Sequence, residues 1–263
     1  MKDSQHRPTF AQEIFSTAGR FPESLRRKVS ADGSEAQLAR YCLQYILQNN
    51  EFITKFGIEG SGQLQEIGRG WHGVTYRIGN YVMKINHKSG PVIGFEYTQT
   101  PEGALFAQHH LQILQQRAKE HGIPDLVDDD QAVFYIPTGE RQGRLVSIQT
   151  YHEKLFTPQN LHSIAWSQMQ RTKIRQELQD FRSFVKDLNL HDGLSPDVFG
   201  ERNLALVEKN GQWHFVLCDT GPVDKKIAGP IAQFGMKIWL GKEITRWTIA
   251  LGIDSRRRSK GKF

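Results

Sequence analysis

The sequence predicts an α+β fold, and three observations carry the prediction. Between residues 63 and 149, runs rich in β-branched and aromatic residues surround one amphipathic helix, in the order strand, strand, strand, helix, strand, strand. Beyond Thr157 long helical periodicity takes over, interrupted by one hairpin-like pair of runs. Ahead of both lies a polar stretch with a single helical stripe. At 263 residues the chain accommodates one large domain, or two lobes plus an extension.

Residues 1–33 are polar and punctuated by Pro8, Gly19, Pro22 and Gly33, with room for a short helix around Phe10 to Phe15. Ser34 to Gln37 has capping-box spacing, and Leu38, Tyr41, Cys42, Tyr45 and Ile46 follow on one face, so 35–49 reads as an amphipathic helix packed on another element. Val74 to Ile78 and Tyr81 to Ile85 read as strands around a Gly79-Asn80 turn. Thr100-Pro101-Glu102 combines an N-cap, a first-turn proline and an acid. Ala104, Ala107, Leu111, Leu114 and Ala118 carry that helix to Gly122. Ala132 to Pro137 and Leu145 to Gln149 are the next strands. Thr157-Pro158 reads as another helix start, and Gln168 to Leu190 is strongly periodic through Ile174, Leu178, Phe181, Val185 and Leu188. A polar segment, LHDGLSPDVFGERN, leads to the strands LALVE and HFVLCD around an Asn210-Gly211 turn. Two further helices are expected around 225–240 and 242–251.

The stretch Ile67 to Ile85 holds the densest chemistry. Gly68, Gly70 and Gly73 form a G-x-G-x-x-G loop, and Lys84 ends the second strand after it on the same face as Val82. A dinucleotide site needs a helix after its glycines, whereas here a strand follows. A P-loop needs Gly-Lys-Ser/Thr, which is absent. A glycine loop closing over phosphates, with a lysine brought under it by a hairpin, suits a nucleoside triphosphate. The plain alternative is a glycine-rich hairpin with an exposed lysine.

Composition excludes several classes. No apolar run approaches membrane-spanning length, and MKDSQHRPTFAQEIF lacks a signal-peptide core. Cys42 and Cys218 are the only cysteines, which leaves no disulfide framework or cysteine-rich metal site and fits a reducing compartment. We therefore expect a cytoplasmic protein, or one acting in a host cytosol if it is a secreted effector. Part of the formal charge of +6 sits at the end, on Arg256, Arg257, Arg258, Lys260 and Lys262. That tail suits an acidic partner or plain solvation, and nothing else in the sequence indicates nucleic acid.

Four features then occur in one order: a glycine loop with its strand lysine, a following helix with a glutamate, a polar loop with Asp then Asn, and a strand ending in Asp-x-Gly. In this order they resemble the protein-kinase-like superfamily, two-lobed phosphotransferases that use ATP and Mg2+, over residues 63–223. The residues themselves indicate a helical extension over 1–62, and the resemblance implies a small β-rich N-lobe over 63–150 and a reduced, mainly helical C-lobe over 151–263. Gly68, Gly70 and Gly73 match the phosphate-covering loop, and Lys84 the lysine that holds phosphates. Glu102 is the candidate for its glutamate partner, with Glu96 as the alternative. Asn203 and Asp219 match the metal ligands, whose oxygens suit a hard cation. Asp197 matches the catalytic base if its loop holds one extra residue, and Asp192 is the alternative. Ile67 and Val82 would roof an adenine ring, Ala205 would floor it, and the backbone of Gln149 and Tyr151 would hydrogen-bond its edge.

The departures are Thr220 where the family has phenylalanine, and no Ala-Pro-Glu before the end. They imply a minimal C-lobe without activation-loop control, as in small bacterial-effector or phage-type kinases. The expected activity is phosphorylation of protein Ser/Thr hydroxyls. The alternatives are a small-molecule kinase, a pseudokinase that holds a partner, and nucleotidyl transfer. Asp128-Asp129-Asp130, the one acidic run, reads as a solvated loop rather than an acceptor site.

Overall fold

The computed structural model describes residues 35–48, 64–69, 73–86, 99–139, 142–164, 166–198, 203–218, 223–224 and 230–253. Among them it is an α+β protein with four α-helices and a five-stranded antiparallel sheet. The expected piece around Phe10 to Phe15 lies outside the described residues, as do Gly70, Glu96, Asp219, Thr220 and the basic tail. No helix among the described residues is long and apolar enough to cross a membrane.

Helix α1 (Glu35–Gln48) precedes strands β1 (Gln65–Arg69), β2 (Gly73–Ile78) and β3 (Tyr81–Asn86). Helix α2 (Pro101–Glu120) and strands β4 (Ala132–Gly139) and β5 (Gln142–Thr150) follow. The sheet order is β1-β2-β3-β5-β4, with every pair antiparallel. Strand alternation sorts its two faces. Val74, Tyr76, Ile78, Met83, Ile85, Phe134, Ile136, Val146 and Ile148 form one buried cluster with Ala39, Tyr41, Cys42, Leu43 and Tyr45 of α1. The amphipathic stripe read in 35–49 thus covers this sheet, and the Tyr41 hydroxyl anchors it by donating to the Pro137 carbonyl at 2.6 Å.

The α2 start forms as its sequence dictates. The Thr100 hydroxyl accepts the Gly103 N–H at 3.1 Å, and Ala104, Ala107, Leu111, Leu114 and Ala118 are all buried. Side-chain amides take up strand N–H groups: Gln108 accepts from Val133 at 2.8 Å and Gln99 from Leu145 at 2.7 Å.

The remainder begins with a correction. Thr157-Pro158 starts no α-helix, because Asn160 folds back and its side-chain oxygen accepts the Thr157 N–H at 2.6 Å, closing a turn before a short 3-10 piece at Leu161–Ser163. Helix α3 (Gln168–Asp187) starts instead at a Ser167/Gln170 capping box. It runs into a π-helical turn, Leu188–Asp192, which ends on left-handed Gly193 at φ 69°. Strand β6 (Leu194–Ser195) pairs with β9 (Val223–Asp224), and β7 (Leu204–Lys209) pairs with β8 (Gln212–Leu217). Asn210 and Gly211 both have positive φ, 53° and 75°, as a type I′ turn requires. The two expected C-terminal helices are one, α4 (Pro230–Ala250). Gly241 does not break it: an interior glycine costs only about 1 kcal/mol, which burial of Trp247 against the Phe215 ring outweighs.

Two compact units emerge. One contains α1, the five-stranded sheet and α2 up to His109; the other contains α2 from His110, the loop to Asp129, and the chain from His152.

Candidate functional site

In the first unit the chemistry lies on the sheet face opposite α1. The two-residue turn pairs Ile78 with Tyr81 and therefore Thr75 with Lys84. The β3–β5 register adds Ser147 opposite Lys84, β5–β4 adds Val133, and β1–β2 sets Gly68 opposite Thr75. Gly68, Thr75, Lys84, Ser147 and Val133 thus form one row across all five strands, with Lys84 central and half-buried. A parallel row holds Gln65, Arg77, Val82 and Gln149. The Gln149 side-chain oxygen accepts from Gln131 at 3.3 Å. Val82 is buried, on the same face as Lys84, as its spacing predicts.

Beyond β5 the Tyr151 N–H donates to the Asn80 carbonyl at 2.8 Å, fixing the strand exit against the β2–β3 turn. The Arg77 guanidinium lies 4.1 Å over the Tyr151 ring. Thr75 and Arg77 were legible from the short turn. Ser147 was not, because β3–β5 pairing is non-local.

The two described glycines of the loop differ in kind. A Cβ on Gly73 would sit 2.3 Å from the Ile85 carbonyl oxygen, so the close approach of β2 to β3 already requires glycine there. A Cβ on Gly68 would meet only Thr75, at an ordinary 3.9 Å. Among the described residues, packing therefore does not explain Gly68. Ile67 departs from a simple strand position. The register slips between Glu66 and Gly68, which makes Ile67 the extra residue of a β-bulge, 42% exposed. Glu102 is exposed in the first turn of α2 and makes no ion pair with Lys84 among the described residues. Its charge bears on Tyr135 instead, whose hydroxyl is raised first by burial and then by that carboxylate.

In the second unit, Asp197 follows β6 by two residues and is half-buried, and Asn203 immediately precedes β7. The Asn203 carbonyl accepts the Cys218 N–H at 2.8 Å, extending the β7–β8 ladder to the residue before Asp219. Ala205 is fully buried and packs with Val207, Val216, Leu155 and Cys218. Asp192 is engaged elsewhere: Arg117 donates to both its oxygens, at 2.8 and 3.2 Å.

The acidic run is not simply solvated. Asp128 is 15% exposed and accepts from Lys209 at 2.8 Å, with His152 Nε2 at 3.3 Å. Burial works against its charged form, yet the hydrogen bonds from His152 and Lys209 outweigh burial and hold the carboxyl below its ordinary range. Asp129 pairs with Lys119, and Asp130 is exposed. The second residue that sequence reading missed is Glu177, a buried acid on the apolar face of α3, which accepts the Phe215 N–H at 2.8 Å. Among the described residues no group of three or more His, Cys, Asp or Glu could hold a metal, Asp219 lying outside them. In comparisons with known proteins, no family model and no curated protein matches this chain.

Proposed function

We propose that the chain is an ATP- and Mg2+-dependent phosphotransferase acting on Ser/Thr hydroxyls of protein substrates. The row Gly68–Thr75–Lys84–Ser147–Val133 carries this reading. Lys84 is the only charge in that row, on the face opposite α1, and Gly68 puts no side chain beside Thr75. Such a surface suits an anion larger than a side chain carboxylate. A lysine ammonium serves there as a point charge for phosphate oxygens.

Each residue then has one task. Lys84 binds and orients the phosphates, and the loop from Gly68 through Gly70 to Gly73 excludes water by closing over them. Val82 offers an apolar wall to the base; the Tyr151 N–H, expected with the Gln149 backbone to meet the base edge, is taken by the Asn80 carbonyl, and Gln149 pairs with Val82 across β3–β5. Asp197 accepts the acceptor hydroxyl's proton while that oxygen bonds to the γ-phosphorus and the bond to the bridging β–γ oxygen breaks. Asp192 is unsuited to that task, since Arg117 takes both its oxygens. Asn203 and Asp219 offer the oxygen donors that a hard cation takes, and Mg2+ held there would neutralise phosphate charge. A reducing cytosol suits the two free cysteines.

Incubation with γ-labelled or α-labelled ATP, Mg2+ and generic protein tests the reading. Transfer of γ label to protein, lost in Lys84→Ala and Asp219→Ala, supports it. Transfer to a small molecule or transfer of α label redirects it to the corresponding enzyme class. ATP binding without transfer indicates a pseudokinase, and no ATP binding overturns it.

A further inference from the structure

We propose that Arg117 is a positioning residue for the loop that carries Asp197, acting through Asp192; the inference rests on the phosphotransferase reading above. The geometry begins where α3 stops being regular. Its last residue, Asp187, leads into the π-helical turn Leu188–Asp192, and Gly193 then sends the chain into β6 and on to Asp197. A π-helical turn is wider than an α-turn and is seldom stable unsupported. Here its start is held by His121, just past α2, and by its own His191, and its exit by Arg117 in the last turn of α2. At the start, His121 Nε2 lies 3.2 Å from one Asp187 oxygen, and His191 Nε2 lies 3.3 Å from the other.

At the exit, Arg117 grips Asp192 through Nε and Nη2, with Nη1 on Glu120 at 2.9 Å. The fork is partly buried, with 27% of the arginine side chain and 17% of the aspartate exposed. A bidentate pair fixes direction as well as distance. Only Gly193, β6 and Pro196 separate the gripped Asp192 from Asp197. Arg117 thus sets the line along which the chain approaches the base.

The test uses the full chain, with Arg117→Gln, Asp192→Asn, the double variant and Arg117→Lys. Turnover is scaled to ATP-binding stoichiometry, so partly unfolded protein does not count. We expect Arg117→Gln and Asp192→Asn each to lower kcat about 10- to 100-fold, with the Kd for ATP within about threefold, as a small misplacement of a catalytic group does. The double variant should be no worse than either single, and Arg117→Lys should fall between, having charge but no fork. Amide exchange over 188–197 should quicken in both single variants. Turnover per folded molecule within twofold of wild type overturns the inference and leaves the phosphotransferase reading intact. A proportional fall in kcat and ATP affinity, tracking lost stability, also overturns it, since a fold-supporting pair behaves that way. Wild-type protein that neither binds ATP nor transfers phosphate overturns the reading itself, and the positioning role with it.

Discussion

The Lys209 ammonium lies 2.8 Å from the Asp128 carboxylate, tying the end of β7 to the acidic loop that follows α2. Lys209 also reaches Asp125 at 3.2 Å, and His214 lies 3.4 Å from that second acid. Asp128 is held below its ordinary value of 3.8, and Lys209 is raised above 10.5, its hydrogen bonds to Asp128 and Asp125 overriding burial. The signs follow by linkage. The Asp128 contribution is full above 3.8 and is lost as pH falls through the lowered folded value. That of Lys209 is full below 10.5 and is lost as pH rises through the raised one. Melting temperature should therefore be flat across neutral pH and fall at both extremes. Asp128→Asn should cost about 1–3 kcal/mol at neutral pH and blunt the acid-side fall, as urea titrations across pH would record.

Gly73→Ala and Gly68→Ala should behave oppositely. The first forces a Cβ onto the Ile85 carbonyl and should destabilise the sheet by about 1–3 kcal/mol. The second meets only Thr75 among the described residues and should leave the melting temperature unchanged, while weakening ATP binding if phosphates approach there. Melting curves with and without ATP separate the two effects.

If Mg-ATP raises the melting temperature of the wild type, as the phosphotransferase proposal requires, Lys84→Ala should abolish that rise and leave the unliganded value nearly unchanged. Its side chain is half-buried on the face opposite α1, outside the apolar cluster beneath α1. Thermal shift against ATP concentration checks this directly.

Glu177→Ala should cost about 1–3 kcal/mol, because the Phe215 N–H would be left buried without an acceptor. Glu177→Gln keeps an oxygen in place and should retain most of the stability. Chemical denaturation of both variants decides it.

Burial pushes the Cys42 thiol up to about 12. Alkylation of native protein at mildly alkaline pH should therefore spare Cys42 and, where it occurs, fall on partly exposed Cys218. Peptide mapping reads the difference.

What was legible in the sequence was local. The Thr100-Pro101-Glu102 start of α2, its five-residue apolar stripe and the strands around Gly79-Asn80 form as their spacing predicts. What was not legible depends on partners distant in sequence. Asn160 competes for the Thr157 N–H and turns an apparent helix start into a loop. Packing carries α4 through Gly241. The bulge at Ile67 follows from pairing with β2, and Asp128 leaves solvent only because Lys209 and His152 arrive from elsewhere. In the candidate site, the pairing of Lys84 with Thr75 could be read from turn length, whereas its other neighbour, Ser147, needed the β3–β5 register.

That register has a kinetic side. Strands β1–β3 form one local meander and β4–β5 another, and the only seam joining them is β3 against β5, where Ile85 meets Val146 across the whole of α2. Local hairpins close quickly, and pairings distant along the chain wait on the entropy of closing the loop between them. The seam is therefore the slow step in building the sheet, and Lys84, which sits on it, acquires its second neighbour last.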